Sequence, residues 1–384
     1  MLPSNIKIGI IGGGQLGKML IEAGKPWNIH YTILEEANAP ASSIANKHIV
    51  GSLMDYEKIM ELAADSDVIT YEIEHVNIDA LHTLEAQGKR IVPSPKVLEI
   101  IQDKGLQKLF FQHHHIPTTD FELLENEEEW SEKLLKVKGE TVVAKLRKGG
   151  YDGKGVALVN KKEMLAHIRS IPFTEPAVLE EFVEGAIELA VIVSRNESGE
   201  INTFPIAEME FDPQANLVEF LYSPANISAE IEEKAKRIAM DAIIKLQGVG
   251  IFAVEMFLDK ENNLWVNEIA PRPHNSGHHT IEACYTSQYE QLNRILLGMP
   301  LGNTSLIKPA AMINLLGATD VSGAYKITGL EKILATEGVF IHLYNKAETK
   351  PKRKMGHITI LGTTLEEVKE KVLMVKNTIS MKAV

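Results

Sequence analysis

A chain of 384 residues, 45% hydrophobic and 24% charged, exceeds one compact core and has the composition of a soluble globular protein with two or three domains. Its 40 basic and 52 acidic residues leave a net charge of −12, which argues against non-specific nucleic-acid binding and a polybasic membrane surface. The single cysteine, Cys284, forbids an intrachain disulfide, fits a reducing cytoplasm, and reads as a small core residue in preference to a nucleophile.

Residues 6–11 (IKIGII) predict a buried parallel strand, and GGGQLG at 12–17 opens a helix that continues through 18–23. Strands at 31–34, 68–71 and 90–92, with helical runs between them, have βαβ spacing. Residues 1–100 are therefore expected to form a Rossmann-like N-terminal domain, punctuated at its end by Pro93 and Pro95. Gly12-x-Gly14-x-x-Gly17 follows the first strand, and Glu35 and Glu36 stand at the end of the second, matching a dinucleotide fingerprint. This keeps a nicotinamide-dependent oxidoreductase open as an alternative. The physical content is narrower, since glycines admit close backbone approach and a helix N-terminus attracts any anion.

From residue 96 the pattern changes to a helix followed by short strands within 141–159, then strands at 177–182, 189–193, 203–204 and 217–222 and a long helix at 228–246. This is α+β organisation. His113, His114 and His115 read as a solvated helix end, because consecutive side chains diverge. A second glycine loop, Gly149-Gly150-Tyr151-Asp152-Gly153-Lys154-Gly155, lacks Walker spacing and joins two strands. With Lys145, Arg147, Lys148 and Lys154 around it, it reads as a flap that closes N–H groups over phosphates; a plain flexible hairpin is the competing account. Glu180-Glu181-Phe182-Val183, followed by Glu188, suits an edge offering backbone groups to an adenine and a carboxylate to a ribose.

The stretch IFAVEMFLDKENNLWVNEIAPRPHNSGHH is the most informative. Glu255 and Glu268 lie in two apolar β-rich runs around a polar turn; with Asp259 opposite Leu264, they become direct cross-strand neighbours. Like charges there destabilise a sheet unless a cation lies between them, and two carboxylates suit Mg²⁺ completed by water and phosphate oxygens. Arg272 and His274 follow, held near the pair by Pro271 and Pro273. After a helix ending near Leu297, Pro300 and Pro309 mark a linker, and residues 301–384 read as short strands plus a terminal helix at 365–379. Lys346, Lys350, Lys352, Arg353 and Lys354 precede Gly356-His357 and read as a local anion site, for which a solvated basic loop is the alternative.

Together, GGGQLGKM (12–19), TYEIEHV (70–76), QDK (102–104), GGYDGKG (149–155), EEFVEG (180–185), FAVEMF (252–257), NEIAPRPHNSGH (267–278) and RKMGH (353–357) resemble the ATP-grasp superfamily, specifically its N5-carboxyaminoimidazole ribonucleotide synthase family of purine biosynthesis. The resemblance covers nearly the whole chain. It implies α/β and α+β architecture: an ATP-grasp fold with an N-terminal Rossmann-like domain (1–100), an ATP-grasp domain (101–298) carrying a glycine-flap subdomain at about 113–180, and a small C-terminal β-rich domain (299–384). The implied activity is ATP- and Mg²⁺-dependent carboxylation of 5-aminoimidazole ribonucleotide by bicarbonate in a cytoplasmic homodimer; a different ATP-grasp carboxylate–amine ligase and a non-catalytic nucleotide-binding module are further alternatives.

By the same resemblance, ATP would meet Lys104, Lys145, Gly150, Tyr151, Asp152, Gly153, Lys154, Gly155, Val156, Glu180, Glu181, Phe182, Val183, Glu188, Asn267 and Glu268. Glu255 and Glu268 would hold Mg²⁺; Arg272, His274 and Lys154 would act at the reacting groups. Gln15, Glu74, Tyr151, Asp152, Lys346, Arg353 and Lys354 would surround the ribonucleotide, with the helix N-terminus after Gly14 beside it. Lys104 stands where many members carry Arg, and Phe211 stands near a position often occupied by His.

Overall fold

The computed structural model describes residues 5–150, 155–166, 172–212 and 217–384. Among these residues the strands fall into four sheets. The first is parallel, in the order Lys47–Val50, His30–Glu35, Lys7–Ile11, Val68–Tyr71, Arg90–Ile91. Its central strands are continuous apolar runs because both faces are covered. Ile8, Ile10 and Ile33 pack with Met19 and Leu20 of helix Gln15–Gly24 and with Tyr289 and Leu292 of helix Gln288–Leu296. On the other face, Ile11, Leu34 and Ile69 pack with helices Tyr56–Ala64 and Ile78–Ala86. Edge strand Lys47–Val50 was not foreseen, since Ile49 is its one fully buried residue.

The largest sheet is antiparallel and runs Leu264–Ala270, Gly250–Leu258, Ile187–Arg195, Ala207–Asp212, Leu217–Ser223, Ala310–Leu316, Lys354–Leu361, Val339–Leu343, with Ile201–Thr203 also pairing with Ile187–Arg195. Helix Ala229–Lys245, capped by the Ser228 hydroxyl, buries Ala235, Ala239 and Ala242 against one part of it; helix Leu365–Thr378 covers the C-terminal part. Pairing of Leu217–Ser223 with Ala310–Leu316 carries the sheet across the boundary expected near residue 299, and the apolar clusters cross it too, since Tyr222 packs with Ala311 and Ile313, and Leu221 with Met312. Local sequence patterns reveal strands, and only long-range pairing decides their sheet.

A four-stranded antiparallel sheet, Phe121–Leu124, Ala177–Glu181, Thr141–Leu146, Val156–Asn160, packs on Trp130 and Leu134 of helix Trp130–Lys136 and faces the large sheet. Tyr325–Thr328 pairs with Ser380–Ala383 in the fourth. No helix among the described residues is long and apolar enough to cross a membrane. Cys284 is buried in the N-terminal core just beyond the short helix Thr280–Ala283, and burial pushes its thiol up to about 12. His113 ends helix Lys104–His113 in solvent, as its sequence implies.

Candidate active site

The site is built around the hairpin of Gly250–Leu258 and Leu264–Ala270. Glu255 does pair with Glu268, but by a different register from the one expected. Leu258, not Asp259, lies opposite Leu264, so Asp259 belongs to the loop; its carboxylate accepts from Asn263 N (2.7 Å) and Trp265 Nε1 (2.9 Å). A bulge at Asn267 then adds the residue that brings Glu268 opposite Glu255. The bulge re-aims neighbouring side chains, so both Asn267 and Glu268 reach lysines of the facing elements. Lys145 Nζ donates to Asn267 Oδ1 at 2.6 Å, and Lys104 Nζ to Glu268 Oε2.

Charge is divided unequally over this pair. Burial, reinforced by Glu268 and Glu188, pushes Glu255 well above the carboxylate range. Burial also opposes ionisation of Glu268, but Lys104 and Lys145 outweigh it and hold Glu268 below that range. The Lys104 ammonium thus supplies a cation beside the carboxylates. Burial, with Glu268, raises Glu188 to about 7 against the pull of Lys145. Among the described residues no group of three or more His, Cys, Asp or Glu is arranged to hold a metal ion. Two carboxylates are the available donor set, which fits Mg²⁺, an ion that keeps waters and phosphate oxygens in its shell.

Glu180 does not present its side chain as a ligand. It is 2% exposed and ion-paired with Lys108 (2.7 Å) and Lys145 (3.0 Å), leaving the backbone of 180–183 as the group a base could meet. Burial works against this carboxylate, yet the two lysines hold it at about 2; burial lowers Lys108 to about 8. Sequence reasoning missed Lys108. The available signal was that Gln107 and Lys108 share the buried side of their helix with Phe111. Gln107 also fixes the hairpin, accepting from Ile269 N at 2.6 Å.

Beyond the hairpin, His274 Nε2 lies 3.3 Å from Glu255 Oε1, and Arg272 Nε lies 2.9 Å from Glu74 Oε1. His274 Nδ1 meets Ser276, whose hydroxyl lies at 2.9 Å and whose N–H lies at 3.3 Å, and this leaves Nε2 facing Glu255. The His274 backbone is clamped by buried Gln288, which accepts from its N–H (2.9 Å) and donates to its carbonyl (2.8 Å). Gln288 was also missed, because it acts from a helix 14 positions along the chain.

The flap joins Thr141–Leu146 to Val156–Asn160 as expected, with Gly149 and Gly155 at positive φ. Gly150, Gly155 and Val156 frame it, while Tyr151, Asp152, Gly153 and Lys154 lie outside the described residues. Arg147, expected as a basic residue flanking the loop, is committed to Asp103 (two contacts of 2.9 Å) and Glu125 (2.6 Å). Phe182 is 39% exposed at the turn after Glu181, and Val183 follows it. The Phe211 side chain lies outside what is described.

The expected anion site of the first glycine loop is taken by the protein itself. Glu72 accepts from Gly14 N and Gly17 N, and Glu35 Oε2 accepts from Gly13 N at 3.1 Å. Those N–H groups therefore do not await a phosphate, which corrects the reading of this helix N-terminus as substrate site or dinucleotide fingerprint. Gln15, half-buried at the start of the helix, remains available. One turn later, Lys18 Nζ donates to Leu343 O (2.9 Å), bringing this helix beside the C-terminal basic loop. There Lys346 Nζ donates to Lys354 O (2.7 Å) and Arg353 Nη1 to Glu348 O (2.7 Å).

Three family models match in sequence order: a ribonucleotide synthetase preATP-grasp domain over residues 5–102, an ATP-grasp domain over 109–289, and a phosphoribosylaminoimidazole carboxylase C-terminal domain over 310–371. N5-carboxyaminoimidazole ribonucleotide synthase of Bacillus subtilis is 36% identical over 361 residues, covering 94% of this chain and 92% of its own. The crystal structure of N5-carboxyaminoimidazole ribonucleotide synthetase from Thermotoga maritima is 42% identical with a TM-score of 0.88, covering 99% of this chain and 100% of its own. That of the Aspergillus clavatus N5-carboxyaminoimidazole synthase, in complex with ADP and 5-aminoimidazole ribonucleotide, is 32% identical with a TM-score of 0.88 and 98% coverage of each chain. The chain spans 65% of the length of a phosphoribosylaminoimidazole carboxylase of Vigna aconitifolia, to which it is 36% identical.

Proposed function

The chain belongs to the N5-carboxyaminoimidazole ribonucleotide synthase family of ATP-grasp enzymes, and we propose that it carboxylates the exocyclic amine of 5-aminoimidazole ribonucleotide with bicarbonate, cleaving ATP to ADP and phosphate. The observation that carries this reading is the bulged hairpin, which sets Glu255 and Glu268 side by side in front of Lys104 and Lys145.

A bicarbonate oxygen attacks the γ-phosphorus and ADP leaves; the amine then forms its bond to the carboxyl carbon of carboxyphosphate as the bond to the phosphate oxygen breaks, and the amine proton leaves with the departing phosphate. Lys104 and Lys145 hold the phosphates, while the backbone of 180–183 and the Glu188 carboxylate take the base and ribose. When bound at Glu255 and Glu268, Mg²⁺ supplies neutralisation of phosphoryl-oxygen charge. Arg272, oriented by Glu74, and His274, with its Nε2 toward Glu255, border the bicarbonate. The glycine flap, with Lys154 on it, keeps water from carboxyphosphate. Gln15, Glu74, Lys346, Arg353 and Lys354 face the ribonucleotide. A homodimer in a reducing cytoplasm completes the proposal. The occupied Gly14 and Gly17 N–H groups count against the nicotinamide alternative.

Phosphate release measured with and without 5-aminoimidazole ribonucleotide, in bicarbonate-replete and bicarbonate-depleted buffer, tests the reaction. Full release is expected only with both present. ATP binding without turnover under all four conditions would instead indicate a binding module. A second measurement tests the basic loop: Arg353→Ala and Lys346→Ala should each raise KM for the ribonucleotide roughly tenfold to a hundredfold, the worth of one charge-assisted hydrogen bond, and leave KM for ATP nearly unchanged. Equal effects on both substrates would remove residues 346–354 from the ribonucleotide site.

A further inference from the structure

We propose that Glu72 is the built-in anion of the Gly12–Gly17 loop and a positioning residue that sets Gln15 and Glu74 relative to each other. Both Glu72 oxygens are engaged, one by Gly14 N and the other by Gly17 N, and its own N–H donates to Ile11 O at 3.1 Å. The side chain thus ties the first turn of helix Gln15–Gly24 to the segment that follows Val68–Tyr71. The glycines fit this internal ligand: a Cβ at Gly12 would lie 2.3 Å from Glu72 Cγ, and one at Gly14 2.7 Å from its Oε1. Glu72 is 9% exposed, so its ionised form carries a desolvation cost. Burial raises its carboxyl to about 7 while the Gly17 and Gly14 N–H groups pull the other way.

This arrangement has a geometric consequence. Gln15 is the first residue of the clamped helix, and Glu74 follows Glu72 by two positions and pairs with Arg272. Through the Glu72 carboxylate two segments distant in sequence acquire a fixed relative placement at the edge of the site, and the Glu74–Arg272 pair adds a third. In a dinucleotide-binding loop the same N–H groups hold a pyrophosphate. Here an internal carboxylate closes the loop to free phosphates and turns it into a structural joint.

The test uses the full-length protein carrying Glu72→Ala, with formate as a small carboxylate probe. Thermal unfolding is followed against formate concentration for variant and wild type. The variant should unfold at lower temperature and recover in a saturable way with formate, while the wild type stays unchanged; absence of that recovery in a folded variant would overturn the proposal. The kinetic arm rests on the reaction proposed above. There the variant should show KM for 5-aminoimidazole ribonucleotide raised roughly tenfold, with KM for ATP within about twofold, and formate should restore the former. Should Glu72→Ala not fold, Glu72→Gln, which keeps the volume but turns one NH₂ toward an N–H donor, should show the same KM split. Equal rises in both KM values would reduce Glu72 to a general structural role and overturn the proposal. Absence of ribonucleotide-dependent turnover in the wild type would sink the reaction and leave the formate result to decide on Glu72.

Discussion

Glu255→Gln and Glu268→Gln are each expected to lower kcat/KM for phosphate release by at least about a hundredfold, since even partners one shell removed from a metal cost ten- to a hundredfold. Their stabilities without metal should diverge. Glu255, its side chain 17% exposed, faces Glu268 and Glu188, so an amide relieves repulsion and the unfolding temperature should stay level or rise. Its raised folded-state pKa means that the wild type loses stability as pH climbs through that pKa, so the advantage of Glu255→Gln should grow with pH. Glu268 is paired with Lys104, and its side chain is 36% exposed. Its replacement leaves an ammonium without its closest partner, at a screened cost of about 1–2 kcal/mol. From the sequence alone both substitutions are expected to relieve repulsion; the Lys104 contact separates them. Metal-free unfolding of Glu255→Gln well below the wild type would show the pair to be structural.

Lys108→Met should destabilise the protein by about 3–5 kcal/mol at neutral pH, the usual consequence of stripping one partner from a buried ion pair. The side chains of Lys108 and Glu180 are 2% and 3% exposed, so no water replaces the lost ammonium. Lys145 must then serve Glu180 alone, and its contact with Asn267 should suffer, raising KM for ATP. In the wild type Glu180 has its folded pKa depressed to about 2, so the stability it contributes is present above the ordinary glutamate pKa and fades as pH falls toward 2. The difference between wild type and variant should therefore narrow over that acid window. Denaturant unfolding at several pH values would measure it. An unfolding midpoint and ATP KM both equal to wild type at neutral pH would mean that Lys108 does not position Lys145.

The parallel N-terminal sheet was legible because strands buried on both faces are continuous apolar runs such as IKIGII, and helix Ala229–Lys245 was legible from its periodicity and its serine cap. The Glu255–Glu268 pair was legible as well, since two β-rich runs flank one polar turn. The route to it was not. Asp259 and the bulge at Asn267 trade one residue between loop and strand, and two such offsets cancel in the pairing while changing which side chains face Lys145.

Sequence by itself determined the residue types, the local periodicities, and the positions where only glycine or a charge would serve. Tertiary structure alone decided what those charges meet. Glu72 fills the glycine loop from 55 positions away, Arg147 turns to Asp103, Lys108 disappears beneath Glu180, and the strands after Pro309 extend the central sheet. Each depends on contacts between segments far apart in the chain. Local propensity is blind to such contacts, because burial and partner choice are settled only when the sheets and helices pack.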